Sequence, residues 1–495
     1  MMEVKEGLAV WNWAAGYFIY INLLLSLMIV FFQRRDPKAV WTWLLILYFV
    51  PVFGFFFYLM FAQDYHKSRM FRIKEVEDRL KYGADRQTAE AVQGGAEPDV
   101  PEEAAEYGDL IRYNLEQAGA VLTLRNTLTV FTDGEEKFRD LRAELSRARY
   151  FIHIQYYIIK DDELFDSMIP ILADRARQGV EVRILYDGMG GRLMPKERWE
   201  ELRREGILVS CFFPPVLGRL NLRMNYRNHR KIVVIDGGIG YVGGFNIGRE
   251  YLGRSEKFGY WRDTHLKLAG EAAISLQLRF AMDWNYAAKE NLFLNQKYFT
   301  DCRNQEETGP VRKPLAVQII ASGPDSGYPQ IRDNYLQIIH KARRHIYIQT
   351  PYFIPDDAIL SALRIAAASG IDVRLMIPSG PDHPFVYWAT HAFMGEMIGA
   401  GARCYTYSHG FLHAKAIMAD GRLCSSGTAN MDIRSFELNF EVNAVIYDEE
   451  VTRRMEEAFL ADLVYCREIT PELYEARSMG VRIREQVSRL LAPLL

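Results

Sequence analysis

The chain has 495 residues, a formal net charge of −3, and a composition that is 49% hydrophobic and 25% charged. This length allows roughly two to four domains, and the composition is ordinary for a folded protein. The near-neutral charge gives no global basic signal, so it does not favour a nucleic-acid partner. Five cysteines lie far apart without zinc-site spacing, which favours a reducing, cytoplasmic compartment for the folded part.

The N-terminal region contains two long runs without charged side chains, from Gly7 to Gln33 and from Ala39 to Gln63. Each run exceeds the ~20 apolar residues that a helix needs to cross a bilayer. A cleaved signal peptide is an alternative for the first run, but the run is too long and no small-residue cleavage site follows. We predict a transmembrane hairpin over residues 1–66, with helices at about 9–32 and 39–62.

Basic residues flank the two runs and bear on their orientation. Lys5 precedes the first run, and Lys67, Arg69, Arg72 and Lys74 follow the second. The short break between the runs also carries three basic residues. The positive-inside rule then places both termini in the cytoplasm. We predict a multi-pass protein of the cell membrane with a cytoplasmic catalytic part.

Beyond the hairpin, the chain repeats itself. Residues 67–107 are largely polar and contain Gly and Pro, which predicts a linker. Residues 148–179 and 342–370 then share one pattern: an apolar run rich in β-formers, a loop with paired acids, a helical stretch and a glycine. An alternating strand follows each copy. This alternation predicts an α/β fold with two similar halves, over residues 108–296 and 314–495, and a site between them.

Each half carries a His-x-Lys-x-x-x-x-Asp motif that begins an apolar strand. The two-residue period of a strand places the His and the Lys on one face. A single such motif is commonly only a polar strand end, whereas two copies with matching offsets predict a functional site. The matched residues are His229, Lys231, Asp236 and Asn246 in the first half, and His413, Lys415, Asp420 and Asn430 in the second, with Asp263 and Glu441 in looser correspondence.

These motifs resemble those of the phospholipase D superfamily and, within it, of the bacterial cardiolipin synthases. The resemblance covers nearly the whole chain and includes Tyr260–Asp263, Thr350–Pro355 and Asp432–Ser435. It implies two α/β/α sandwich domains with one active site between them. The sequence departs from the superfamily pattern where a serine usually follows the glycine, because Gly244 and Thr428 occupy those two places.

The motif residues suit phosphodiester transfer without a metal or other cofactor. A neutral imidazole can attack phosphorus to form a phosphohistidine, and a second, protonated imidazole can protonate the leaving alkoxide. Cationic and amide side chains can hold the phosphoryl oxygens, while a carboxylate fixes the tautomer of each imidazole. We predict that Lys231, Lys415, Asn246 and Asn430 hold the phosphate, that Asp263 and Glu441 orient the histidines, and that Asp236 and Asp420 support the site structurally and electrostatically.

The resemblance implies that His229 is the nucleophile and His413 the general acid and base, although the sequence symmetry also permits the reverse. The leading hypothesis is a cardiolipin synthase, which transfers a phosphatidyl group from one phosphatidylglycerol to a second and releases glycerol. Its partner is then an anionic membrane phospholipid and not a nucleic acid. The alternatives are a hydrolytic phospholipase D, a phosphatidyltransferase with another acceptor alcohol, a nuclease, or a membrane scaffold with an inactive site.

Overall fold

The computed structural model describes residues 17–31, 37–61, 101–214, 226–300 and 315–492. The chain folds into two compact units, one with the N-terminal helices and one with the two repeats. The remaining parts of the hairpin and linker predictions lie outside the described residues.

The N-terminal unit contains three described helices: α1 over residues 17–31, α2 over Pro37–Phe49 and α3 over Pro51–Phe61. The structure divides the predicted helix over 39–62 into α2 and α3, with a bend at Val50, just before Pro51. Proline lacks an N–H and its ring crowds the preceding turn, so it favours the first turn of a helix and bends or ends a helix when it lies further along. The Asn22 amide donates to the carbonyls of Leu47 (3.0 Å) and Pro51 (2.8 Å) beside this bend. Among the described helices, none has the length and apolar character of a bilayer span.

The second unit contains both repeats. Its first part comprises α4 (Glu102–Ala105), α5 (Gly108–Ala118), β1 (Asn126–Phe131), α6 (Gly134–Ser146), β2 (Phe151–Tyr156), α7 (Glu163–Arg177), β3 (Glu181–Asp187), α8 (Lys196–Arg204), β4 (Leu208–Phe212), β5 (Arg227–Asn228), β6 (Ile232–Ile235), β7 (Ile239–Gly243), β8 (Trp261–Arg262), β9 (His265–Gly270) and α9 (Glu271–Ala288). Its second part comprises β10 (Ala316–Ser322), α10 (Gln330–Lys341), β11 (His345–Gln349), β12 (Phe353–Ile354), α11 (Asp357–Ala368), β13 (Asp372–Pro378), α12 (Pro384–Gly399), β14 (Arg403–Tyr407), β15 (Phe411–Leu412), β16 (Ala416–Ala419), β17 (Leu423–Gly427), β18 (Met431–Asp432), α13 (Ile433–Glu437), β19 (Asn439–Tyr447), α14 (Glu449–Asp462), β20 (Cys466–Glu468), α15 (Pro471–Glu475) and α16 (Met479–Leu490).

The two main sheets have the same strand order. The first sheet runs β1-β9-β7-β6-β2-β3-β4, and the second runs β10-β19-β17-β16-β11-β13-β14 before it adds β20. In both sheets the last three of these seven strands are parallel and the other pairings are antiparallel. This identity of order confirms that the two halves share one α/β fold.

Strand β2 shows how helices cover both faces of the first sheet. Successive side chains of a strand point to opposite faces. Ile152 and Ile154 pack in the core formed with α6, α7 and α8. His153, between them, stacks on Phe280 of α9 with ring centroids 4.6 Å apart, and its Nδ1 lies 2.9 Å from Gln277. The sheet is therefore buried on both sides between helices.

The segment before the first sheet packs on the second half. The side chains of Ala104, Tyr107 and Leu110 are buried in the core of the second half. The Asn114 amide donates to the Gln318 side chain on β10 at 3.1 Å. The sequence predicts that the first half begins at residue 108. In the structure its sheet begins at Asn126, and the helix before it, α5, packs on the other half.

Candidate active site

Two short strand pairings join the halves at the predicted catalytic motifs. Strand β5, just before His229, pairs in parallel with the start of β19, and β15, just before His413, pairs in parallel with β8. The backbone N–H of His229 donates to the carbonyl of Phe440 at 3.0 Å, and that of His413 donates to the carbonyl of Arg262 at 2.7 Å. Each pairing ends one residue before a carboxylate. The backbone therefore brings each histidine beside the carboxylate of the opposite half.

The orienting contacts are accordingly exchanged between the halves. His229 Nδ1 lies 3.0 Å from both carboxylate oxygens of Glu441, and His413 Nδ1 lies 2.6 Å from Asp263 Oδ2. Both carboxylates are fully buried. Because an ionised carboxylate only accepts hydrogen bonds, each Nδ1 carries the proton and each Nε2 keeps its lone pair. The structure brings both predicted orienting acids to the histidines.

Burial and the nearby lysines keep the imidazoles neutral before substrate binds. Burial is the main cause that lowers the pKa of His229, and Lys231 and Lys415 act in the same direction against Glu441. Burial, together with Lys415 and Lys231, lowers the pKa of His413 to about 4 despite Asp263. The ammonium groups act on histidines of both halves, so the two motifs share one electrostatic environment. A neutral imidazole is the form that can act as a nucleophile or a base.

Both motif lysines are buried beside the histidines. Lys231 Nζ donates to the carbonyl of His229 at 2.7 Å, and Lys415 Nζ lies 2.8 Å from His413 Nδ1. Burial lowers the pKa of Lys415 to about 8, against the raising effect of Asp263 and other acids. One Nδ1 cannot donate to Asp263 and accept from Lys415 at once. An anionic phosphodiester would offer Lys415 a better acceptor and leave Nδ1 to Asp263.

The two positions that depart from the superfamily pattern lie against the orienting carboxylates. The Thr428 hydroxyl donates to Glu441 Oε2 at 2.6 Å, so threonine retains the hydroxyl function there. At Gly244, a Cβ atom would lie only 1.9 Å from Asp263 Oδ1. Asp263 Oδ1 also accepts from the Thr264 N–H at 2.8 Å, which resists its displacement. Glycine at 244 therefore leaves the space in which Asp263 reaches His413.

Gly244→Ala tests this close approach. The new methyl group must push the Asp263 carboxylate away from His413, and a displacement of about 1 Å in an active site can lower turnover about tenfold to a hundredfold. We expect this loss in kcat, with the thermal midpoint measured on the same sample. Gly380→Ala is the matched control, because no heavy atom lies within 4 Å of its Cβ position. Wild-type kcat in Gly244→Ala would contradict this role of the glycine.

The two asparagines are buried, and their side chains contact other protein groups. Asn246 Oδ1 accepts from the Ile158 N–H at 3.2 Å, and its amide nitrogen donates to the Tyr251 hydroxyl at 2.9 Å. The Asn430 amide nitrogen donates to Asp432 at 3.1 Å. Each amide nitrogen has two hydrogens, so a second one is available to a phosphoryl oxygen. Phosphate binding by these asparagines stays a prediction.

Asp236 and Asp420 lie at the far end of the motif strands from the histidines. The Asp236 carboxylate accepts from the backbone N–H groups of Arg149, Tyr150 and Phe151 at 2.8–2.9 Å. Both aspartates have positive φ, 51° and 58° respectively. Asp420 accepts in the same way from the backbone N–H groups of Arg343, Arg344 and His345. These contacts fix the turn before the neighbouring strand, β2 or β11, which favours the structural part of their predicted role over a chemical one.

Arg230 is a site residue that the sequence interpretation missed. Its fully buried guanidinium makes two 2.7 Å bonds to Asp283 and donates to the carbonyls of Glu441 (3.1 Å) and Ser322 (3.2 Å) in the other half. The sequence carries a signal for it, because this basic residue stands inside the motif, between His229 and Lys231. Arg230 therefore holds the backbone of Glu441 in place from the opposite half.

Aromatic rings lie beside both imidazoles. The ring of Tyr157 is 5.1 Å from that of His229, and the ring of Trp261 is 5.1 Å from that of His413. Burial raises the pKa of Tyr157, and the nearby Arg227 and Arg434 act in the opposite direction. Within the ranges that the structure describes, no three His, Cys, Asp or Glu side chains are grouped as metal ligands would be.

Comparison with known proteins agrees with this geometry. The family model described as the cardiolipin synthase, phospholipase D-like domain matches residues 141–269 and 335–463. The model of the phospholipase D-nuclease N-terminal region matches residues 21–63. A phosphatidylserine synthase structure from Haemophilus influenzae shares the fold, with a TM-score of 0.60 over 78% of this chain and 100% of that chain at 12% identity.

Curated relatives align over nearly their whole length. The major cardiolipin synthase ClsA of Bacillus subtilis is 46% identical over 487 residues, covering 97% of this chain and 98% of that protein. The cardiolipin synthase of Listeria innocua is 45% identical over 481 residues, covering 96% of this chain and 98% of that protein. The chain therefore belongs to the cardiolipin synthase family of phospholipase D-like enzymes.

Proposed function

We propose that the enzyme transfers a phosphatidyl group from one phosphatidylglycerol to the terminal hydroxyl of a second, giving cardiolipin and glycerol. The observation that supports this most directly is the exchanged pairing of two imidazoles with two buried carboxylates, beside two buried lysines. Such a site supplies a nucleophile, a proton carrier and cationic groups for a phosphodiester. The relatives are named cardiolipin synthases, which supports cardiolipin as the product.

In the first step, His229 Nε2 attacks phosphorus and forms an N–P bond while the bond to the glycerol oxygen breaks. His413 donates its Nε2 proton to that oxygen, so glycerol leaves as the neutral alcohol. The bound phosphodiester carries a negative charge and offsets Lys415 and Lys231, both of which lower the pKa of His413 in the free enzyme. Substrate binding therefore favours the protonated His413 that this step needs.

In the second step, neutral His413 takes the proton from the terminal hydroxyl of the acceptor lipid. The acceptor oxygen attacks phosphorus, the N–P bond breaks, and His229 returns to its neutral form. The exchange of one phosphodiester for another needs no nucleotide or redox partner. Glu441 and Asp263 stabilise whichever imidazole is cationic at each stage. The reverse assignment of the histidines is the alternative.

The N-terminal helices support a membrane location. Tyr20, Phe31, Tyr48 and Phe49 are each more than 70% exposed, which leaves a large apolar surface uncovered within that unit. Exposed apolar surface of this extent is typical of a lipid or protein contact. We propose that this unit embeds in the cell membrane, where the substrate lies, and that the catalytic unit is on the cytoplasmic side as the flanking basic residues favour.

Burial lowers the pKa of both motif lysines, and the alkaline limb of the pH profile tests the contribution of Lys415. Its pKa is about 8, so kcat/KM should fall as pH rises through this value and the ammonium loses its proton. Lys415→Arg keeps a permanent positive charge because the guanidinium pKa exceeds ~12. We expect the variant to be slower but to keep its kcat/KM at higher pH. An alkaline limb at the same pH in both proteins would exclude Lys415 as its source.

The function is tested with the purified full chain, labelled phosphatidylglycerol in vesicles, and EDTA. Cardiolipin and glycerol in equal amounts are the expected products. Phosphatidic acid as the sole lipid product would indicate a hydrolytic phospholipase D, and turnover only with another alcohol would indicate a different transferase. Loss of activity with EDTA that returns with a divalent cation would contradict the metal-independent mechanism.

A further inference from the structure

Helix α16, Met479–Leu490, has its apolar side toward solvent. Met479, Ile483, Val487 and Leu490 are 71%, 56%, 49% and 78% exposed. Their spacing of four, four and three residues places them on one face of a helix. A helix at the surface of a soluble domain normally turns such a face inward. We call these four residues the α16 stripe.

The polar side of the same helix is the side that packs on the protein. Glu485 and Ser488 are buried, and Arg477 donates to Glu485 at 3.1 Å. Arg484 and Arg489 also lie over the Trp388 and Phe393 rings of α12, so contacts with α12 hold the helix with its stripe outward. The α16 stripe remains uncovered in the part of the chain that the structure describes.

The exposed charged side chains of helix α16 are all positive. Its solvent-facing charged side chains are all arginines, since its one acid, Glu485, is turned inward. Arg484 is exposed and lies over the Trp388 ring of α12, with 5.6 Å to the centroid. Arg482 pairs with Glu475 at the surface, and such an exposed pair is weak enough to exchange for a phosphate group, whereas Arg489 pairs with the half-buried Glu396 and lies over the Phe393 ring.

We propose that the α16 stripe docks on an anionic lipid surface, with the apolar side chains in the interface and the arginines at the phosphates. An apolar face flanked by arginine is the pattern of helices that lie in the membrane interface. A second copy of the chain fits less well. A helix of 12 residues is about 18 Å long and about 10 Å wide, so its footprint of roughly 200 Å² is far below the ~800 Å² per partner of a stable interface.

The test uses the full chain in nanodiscs of phosphatidylcholine and phosphatidylserine, two parts to one, so that the anionic lipid is not the proposed substrate. Val487→Cys carries an environment-sensitive fluorophore, and the unsubstituted chain, labelled in parallel, corrects for its own cysteines. Glu200→Cys is the control, because Glu200 is 63% exposed on α8 in the other half. Quenching by spin-labelled acyl chains and by aqueous iodide is then compared at the two positions.

We expect acyl-chain quenching and iodide protection at position 487 but not at 200, with weaker protection in discs of phosphatidylcholine alone. Ile483→Glu should reduce the acyl-chain quenching at 487 about twofold or more, since it places a charge in the apolar face, while Ile483→Leu, which keeps that position apolar, should not. Equal iodide quenching at 487 and 200 would overturn the proposal. Protection that appears only with two chains per disc would assign the stripe to a second copy instead. None of these readings depends on turnover.

Discussion

A phosphatidyl donor with a nitrophenol leaving group should label His229 of the His413→Gln variant almost stoichiometrically. Nitrophenolate leaves without being protonated, so the first step no longer needs the acid. The second step still needs a base to take the proton from the acceptor alcohol, and the variant lacks it. The phosphohistidine should therefore accumulate, visible as a burst of nitrophenolate and as a lipid adduct on the peptide that contains His229.

With phosphatidylglycerol as donor, the same variant should lose roughly 10²–10⁴-fold in turnover, the usual contribution of a general acid and base. His229→Gln should give neither a burst nor an adduct with either donor, because it lacks the proposed nucleophile. The matched control is His340→Gln, a histidine on α10 in the second half. An adduct on His413 in the His229→Gln variant would show that His413 is the nucleophile and His229 the general acid and base. Full activity in either variant would contradict a shared site.

The sequence predicted the chemistry of the site better than its connections. The repeat predicts equivalent places for His229 and His413 at the start of the motif strands. In the structure each histidine follows a two-residue strand, β5 or β15, and the motif strands β6 and β16 begin three residues later. The exchange of Glu441 and Asp263 depends on pairing between two-residue strands from different halves. Such short strands have no periodicity that could reveal a partner in a distant part of the chain.

Local patterns also failed where tertiary contacts decide the outcome. The hydrophobic run over residues 39–62 predicts one continuous helix, whereas the structure has two helices with a bend just before Pro51. Its place in the chain predicts that the amphipathic α5 belongs to the half that follows it, whereas Asn114 and its neighbours contact the other half, including β10. The sequence shows which face of α5 is apolar and does not show which of two similar cores receives it.

Glu441→Gln should cause the same loss of activity as His229→Gln, although residue 441 lies in the other half. Thr428 and Asn439 donate to the Glu441 carboxylate at 2.6 and 3.1 Å, and His229 is its third partner. A glutamine has one acceptor oxygen for these donors. Its NH₂ group opposite Nδ1 would favour the tautomer with the proton on Nε2, which cannot attack phosphorus. We expect a loss of roughly 10²–10⁴-fold and no burst with the nitrophenol donor.

Asp263→Asn provides the contrast, because it acts on His413. This variant should keep the burst with the nitrophenol donor and lose the second step, as His413→Gln does.

Thr428→Val is the milder control for Glu441→Gln and should lower turnover less than about tenfold, since it removes one hydrogen bond to Glu441 and leaves its charge in place. Adding Glu441→Gln to His229→Gln should cause little further loss, because residues that act as a unit are not additive. A burst in Glu441→Gln, or the lack of a burst in Asp263→Asn, would contradict the pairing of each carboxylate with the histidine of the opposite half. Each carboxylate would then act on the histidine of its own half.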